Sequence, residues 1–221
     1  MNSLSTLLGK PITVELSGKI IHTGILNDYG RDIIILYNGQ QFLYIPMVHV
    51  QSFQLSQRND IQTVGSDEKT LEQTNSQISY RSILNNAREV FVEVYVTGTQ
   101  SIHGYIKNVL SDYIVFYSPI YKTMYISLQH LKWLIPYPTD KIPYSLDQGF
   151  FTNKQSDLTL SRTLKEQLKK LEGKMIVLDM GKEENKVGLL NKLGDHTLEL
   201  IIPYEKKLYW NLQHLKIISL S

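Results

Sequence analysis

Between residues 164 and 171 apolar side chains recur at spacings of four and three, at Leu164, Leu168 and Leu171, which predicts a short amphipathic helix. Counterparts stand at 4–8 and 83–87. After each, the pattern changes to alternation: Ile12, Val14 and Leu16 in the first stretch, Val92, Val94 and Val96 in the second, Met175 and Val177 in the third. A period of two is that of a β-strand with one buried face. Turn signals at Ser17-Gly18, Thr97-Gly98 and Met180-Gly181 end these strands, and a second strand carries Gly24, Gly104 or Gly188. A third strand is predicted at 33–37, 113–117 and 197–202. A fourth ends at Tyr44, Tyr125 or Tyr209, and a fifth occupies 50–55, 131–135 or 215–220.

These stretches are three copies of one unit. Each ends on Tyr, four residues, His, then Val or Leu: Tyr44 with His49, Tyr125 with His130, Tyr209 with His214. The glycine precedes the histidine by 25, 26 and 26 residues, and the glycines themselves are 80 and 84 residues apart. That period suits tandem small domains rather than a stacking solenoid. The expected fold is therefore mainly β: three tandem five-stranded barrels of SH3-like or Sm-like type, each preceded by a short helix. The boundaries are 1–56, 81–137 and 164–221 for the barrels. A polar linker at 57–80 has its Gln-, Asn-, Ser- and Thr-rich stretch, of net charge −2, at 57–77; a linker rich in proline and aromatics occupies 138–163. The stretch 136–161 that overlaps it, with Tyr137, Tyr144, Phe150 and Phe151, is expected to pack against a domain.

Composition narrows the chemistry. The 221 residues carry 23 Lys+Arg and 21 Asp+Glu, a net charge of +2 that gives no global attraction to nucleic acid or anionic lipid. There is no cysteine, which excludes disulfides, thiolate metal sites and cysteine nucleophiles. The apolar runs are far shorter than the roughly 20 residues of a membrane helix, and neither a span nor a secretory signal is expected.

No nucleophile elbow, phosphate-binding loop or zinc-protease motif is present, so no catalytic residue or cofactor is assigned. Asp32, Asp112 and Asp195 read as equivalent turn residues whose carboxylates bond local backbone. The glycines read as positions of sharp strand bending or close backbone approach. The repeated tyrosines are expected to pack at strand ends. The repeated histidines are expected to hydrogen-bond within the turn between strands four and five of their own unit. A metal-binding role for them is the weaker alternative, because each unit offers one histidine without a second ligand at suitable spacing.

An Sm-like RNA-binding module is the second functional reading. Against it, the Ile/Val-Arg-Gly signature of that family near the fourth strand is missing from all three units, and the ten Lys+Arg of the third unit are diluted by eight acids.

The units run Gly-x-Leu/Ile, Ser/Gly-Asp-Tyr/His, then Tyr/Trp-x-Leu-x-His-Leu-Lys. They read Gly104, Ser111-Asp112-Tyr113 and His130-Leu131-Lys132 in the second unit, and Gly188, Gly194-Asp195-His196 and His214-Leu215-Lys216 in the third. In this the chain resembles the spore coat protein B-like family of endospore-forming bacilli, over about three quarters of its length. The first copy diverges most, with Val50-Gln51-Ser52 in place of the Leu-Lys step. The resemblance implies a non-enzymatic structural protein of the outer spore layers, made in the mother cell. Its partners would be other coat proteins, with self-association allowed and no membrane. Such proteins can carry a Ser/Lys/Arg-rich tail used for phosphorylation; here the sequence ends at Ser221, and tail functions are not carried over.

Overall fold

The computed structural model describes residues 3–56, 71, 78–88, 90–97, 100–138, 144 and 159–220. The chain is mainly β. The first unit opens on a 3-10 turn, Ser3–Leu7, where the spacing predicts a helix. It continues through β1 (Pro11–Leu16), β2 (Ile20–Tyr29), β3 (Ile33–Tyr37), β4 (Phe42–Pro46) and β5 (Val50–Leu55). The second comprises α1 (Tyr80–Asn86), β6 (Phe91–Tyr95), β7 (Ile102–Val109), β8 (Tyr113–Ser118), β9 (Lys122–Ser127) and β10 (Trp133–Pro136). The third comprises α2 (Leu164–Lys169), β11 (Met175–Leu178), β12 (Val187–Leu193), β13 (Thr197–Ile202), β14 (Lys206–Asn211) and β15 (Ile217–Leu220). Both helices start on a capping box, Ser79 with Ser82 and Thr163 with Glu166, which satisfies backbone donors that a first helical turn leaves unpaired. The polar stretch at 57–77 lies outside the described residues apart from Leu71, and so does most of 139–158; of that segment Tyr144 packs its ring against Phe91.

Within each unit the strands lie in the order fourth, third, second, first, fifth, all antiparallel. The second strand slips register at the same place every time: between Leu26 and Asp28, Ile106 and Asn108, and Leu190 and Lys192. A bulge there bends the strand and increases its twist. The repeated glycines sit just before it. A Cβ on Gly24 would lie 2.6 Å from the carbonyl oxygen of Tyr37, and at Gly104 and Gly188 it would collide with the carbonyls of Tyr117 and Ile201. Only glycine lets the second strand press this close to the third.

The three units do not end at their own fifth strands. β10 of the second unit pairs with β4 of the first, with Leu134 opposite Tyr44. β15 of the third pairs with β9 of the second, with Ile217, Ile218 and Ser219 opposite Ile126, Tyr125 and Met124. The result is one antiparallel sheet of fifteen strands.

The cores follow the same logic. Ile34 and Leu36 of β3 pack with β1 and β2 of their own unit, together with Trp133 and Ile135 from β10. Ile33, Ile35 and Tyr37 turn the other way, into the core built by α1 and β6–β9. Likewise Ile114 and Phe116 of β8 serve the second unit's core, whereas Tyr113 and Val115 enter the third's. Buried on both faces, β3 and β8 read as unbroken apolar runs. β13 is covered on one face and alternates, with Leu198 and Leu200 inside and Thr197 and Glu199 outside the core.

Candidate interaction surface

The recurring residues meet at the two seams between units. At the seam between the first and second, Asp32 Oδ1 accepts the backbone N–H of Tyr80 at 2.8 Å, where α1 begins. The Tyr44 hydroxyl accepts the Leu71 N–H at 2.7 Å. Lys132 Nζ reaches back to the Ser17 carbonyl. At the seam between the second and third, Asp112 Oδ1 accepts the Leu164 N–H at 2.8 Å, at the start of α2. The Gln167 amide donates to the Tyr125 hydroxyl at 3.3 Å, and Lys216 Nζ donates to Thr97 Oγ1 at 3.0 Å. Ser127 N–H donates to the Lys216 carbonyl at 2.9 Å. Each seam thus has an aspartate holding the incoming helix, a covered tyrosine, and a lysine crossing to the turn after the first strand.

The histidines belong to this pattern and not only to their own turns. His130 Nε2 meets the Gln213 carbonyl of the following unit at 2.7 Å, so that nitrogen carries the proton. His49 is 7% exposed; its Nδ1 lies 3.3 Å from Ser17 Oγ. Burial first, then the charges of Lys132 and His130, lower the His49 pKa to about 4. Burial also lowers that of His130, opposed by its bond to Gln213. His214, at the same position of the third unit, is exposed.

The third unit shows the same positions uncovered. Tyr44 and Tyr125 are each 1% exposed, whereas Tyr209 is 64% exposed. The aspartates require one correction. The backbone bond from the fourth–fifth strand connection goes to Asp32, Asp112 and His196, and each lies eight residues after its glycine. His196 therefore occupies the helix-holding position. Asp195 stands one residue earlier, 94% exposed at its side chain and paired with Lys165 at 3.2 Å. Neither Lys132 and Lys216 nor Gln167 stood out as contact residues in the sequence alone, although the Leu-Lys step itself recurs. Among the described residues, no three His, Asp or Glu side chains gather as a metal-binding group.

The chain is 40% identical to uncharacterized protein YwrJ of Bacillus subtilis (strain 168) over 229 residues, covering the whole of both. The chain belongs to the YwrJ family. The family description "YwrJ third domain" matches residues 163–218, from the N-cap of α2 into β15. A more distant similarity, 27% over 146 residues, links 66% of the chain to 36% of spore coat protein B of the same organism. The resemblance drawn from the repeated motifs is thus real but partial, and the full-length kinship lies with YwrJ.

Proposed function

We propose that the protein is a non-enzymatic structural component of the bacterial spore coat that works through protein–protein contacts, with other coat proteins as its partners. In this reading each third of the chain is a small open barrel of Sm-like type preceded by a short helix. Each barrel is completed by the edge of its neighbour instead of by closure on itself. The observation that carries the proposal is where the repeated residues are used. Asp32 and Asp112, Tyr125, His130, Lys132 and Lys216 all hydrogen-bond between units, and Tyr44 pairs with Leu134 and packs into the second unit's core. A chain whose recurring polar groups hold strand edges together is built for assembly, and the similarity to spore coat protein B supplies the setting. The lack of an Ile/Val-Arg-Gly signature speaks against the RNA-binding alternative.

The test is spore fractionation with an antibody to this protein. The chain should appear in coat extracts late in sporulation, expressed in the mother cell, and should be missing from the decoated core. Recovery from vegetative cytoplasm with salt-sensitive binding to RNA would overturn the coat reading in favour of the RNA-binding one.

A further inference from the structure

We propose that a second copy of this chain docks head to tail on the first, β5 of one copy pairing antiparallel with β14 of the next. Phe53 would then lie opposite Tyr209. The proposal deepens the coat reading by naming one partner, and it rests on the strand order. Both internal seams join a fifth strand to the fourth strand of the preceding unit. The sheet begins at β14, a fourth strand, and ends at β5, a fifth strand. Among the described strands these two have one neighbour each, and they are the two halves of the same kind of seam. A row of unpaired backbone donors and acceptors is a template for another strand, and this row has a complementary one on every other copy.

The internal seams also give the register. Leu134 faces Tyr44 and Ile218 faces Tyr125; both are four residues after the repeated histidine, opposite the repeated tyrosine. The equivalent residues at the free ends are Phe53 and Tyr209, flanked by Ser52 opposite Trp210 and Gln54 opposite Leu208. Ser127 and Lys216 are a hydrogen-bonded pair, so two residues on, Ile218 and Tyr125 also turn their backbone groups toward each other. The same alternation points the backbone of Phe53 and Tyr209 out of the sheet. By the same equivalence the exposed His214 would meet the backbone carbonyl of Val48, as His130 meets that of Gln213. Val48 beside β5 and Leu55 in it, and Tyr204 beside β14 and Tyr209 in it, are exposed apolar side chains that this contact would cover.

The ends differ from the seams in one respect. Ser52 and Gln54 stand where β10 has Trp133 and Ile135, and Thr197 and Glu199 line the outer face of β13. A more polar contact of this kind is weaker than the internal seams and reversible, which keeps single chains soluble. Because the contact is heterologous, it continues from copy to copy, closing into a ring or extending as a filament.

The chain has no cysteine, so cross-linking starts from a clean background. Gln54→Cys and Leu208→Cys chains, mixed and mildly oxidised, should form a mixed disulfide dimer. Their positions form a non-hydrogen-bonded pair, whose Cα atoms approach within disulfide range. A mixture of Gln54→Cys with Lys206→Cys, two residues out of register, should form it at least about tenfold less. In sedimentation, Tyr209→Pro, which removes the outward N–H, and His214→Ala should each reduce association of the parent chain while leaving its melting temperature unchanged. A chain that stays monomeric at its highest soluble concentration, or that cross-links equally in and out of register, overturns the proposal. Spore fractionation keeps the two readings apart. A monomeric chain found in the coat removes this inference alone, and an associating chain absent from spores removes the coat assignment alone.

Discussion

His49, His130 and His214 hold one position in the repeat and three different environments, graded by how much of a following unit covers them. His130→Ala takes the donor from the Gln213 carbonyl across the seam; the carbonyl lies at an exposed residue and can turn to water, so the loss in unfolding free energy should be about 0.5–1.5 kcal/mol. His214→Ala, at an exposed position, should change it by less than about 0.5 kcal/mol. Urea denaturation of both variants checks the contrast, and equal losses would return the histidines to a role inside their own turns. His49 adds a pH dependence whose sign follows from burial. Its folded pKa of about 4 lies below the ordinary histidine value of 6.5, so between these values the unfolded chain binds a proton that the folded chain does not. Its contribution is complete above pH 6.5, falls as pH drops, and stops changing below about 4. The full span is worth on the order of 3 kcal/mol. His49→Gln should flatten that part of the stability profile, and an unchanged slope would place the titration elsewhere.

At the scale of elements, the strands, the helices and the glycines were legible because each has a local signal: alternation, a spacing of three and four, a turn residue. The seams were not, because a residue such as Leu134 pairing with Tyr44, 90 positions earlier, leaves no mark on its neighbours in sequence. One trace of them was present. Ile33-Ile34-Ile35-Leu36 and Tyr113-Ile114-Val115-Phe116 are apolar throughout, as strands buried on both faces must be, whereas Thr197-Leu198-Glu199-Leu200 alternates. The alternation in the third unit marks a strand with one face outside the core among the described residues. The aspartates show the opposite failure. Asp195 resembled Asp112 by type, but its distance of seven residues from the glycine, against eight, marked it as out of place. This difference predicts a clean pair of variants. Asp112→Ala removes the acceptor at the first turn of α2 and should cost about 1 kcal/mol, as loss of a helix cap does. Asp195→Ala removes only an exposed ion pair and should cost next to nothing. Thermal unfolding of the two proteins side by side decides it; equal losses would mean that the exposed carboxylate, too, supports the fold.

For the whole molecule, the shared cores change how the three units must unfold. Separate barrels on linkers would melt independently, and substitutions in different barrels would add. Here Trp133 and Ile135 complete the first unit's core while Leu134 faces the second's, and Ile217 of the third unit lies in the core of the second. Opening one unit would expose apolar surface on the next, so the seams tie the units into one cooperative body. The two tryptophans report on this from distant places, Trp133 at the first seam and Trp210 in the terminal strand β14. With Trp210→Phe leaving Trp133 as the reporter, and Trp133→Phe leaving Trp210, each variant's fluorescence midpoint in urea should coincide with its own midpoint by circular dichroism, which averages over all fifteen strands. His130→Ala, placed at the other seam, should then move the Trp133 transition although it touches neither the first unit nor Trp133. If instead fluorescence and circular dichroism separate, with Trp133 indifferent to His130, the units fold as neighbours in contact and not as one sheet, and the argument that their edges exist to be paired loses its energetic basis.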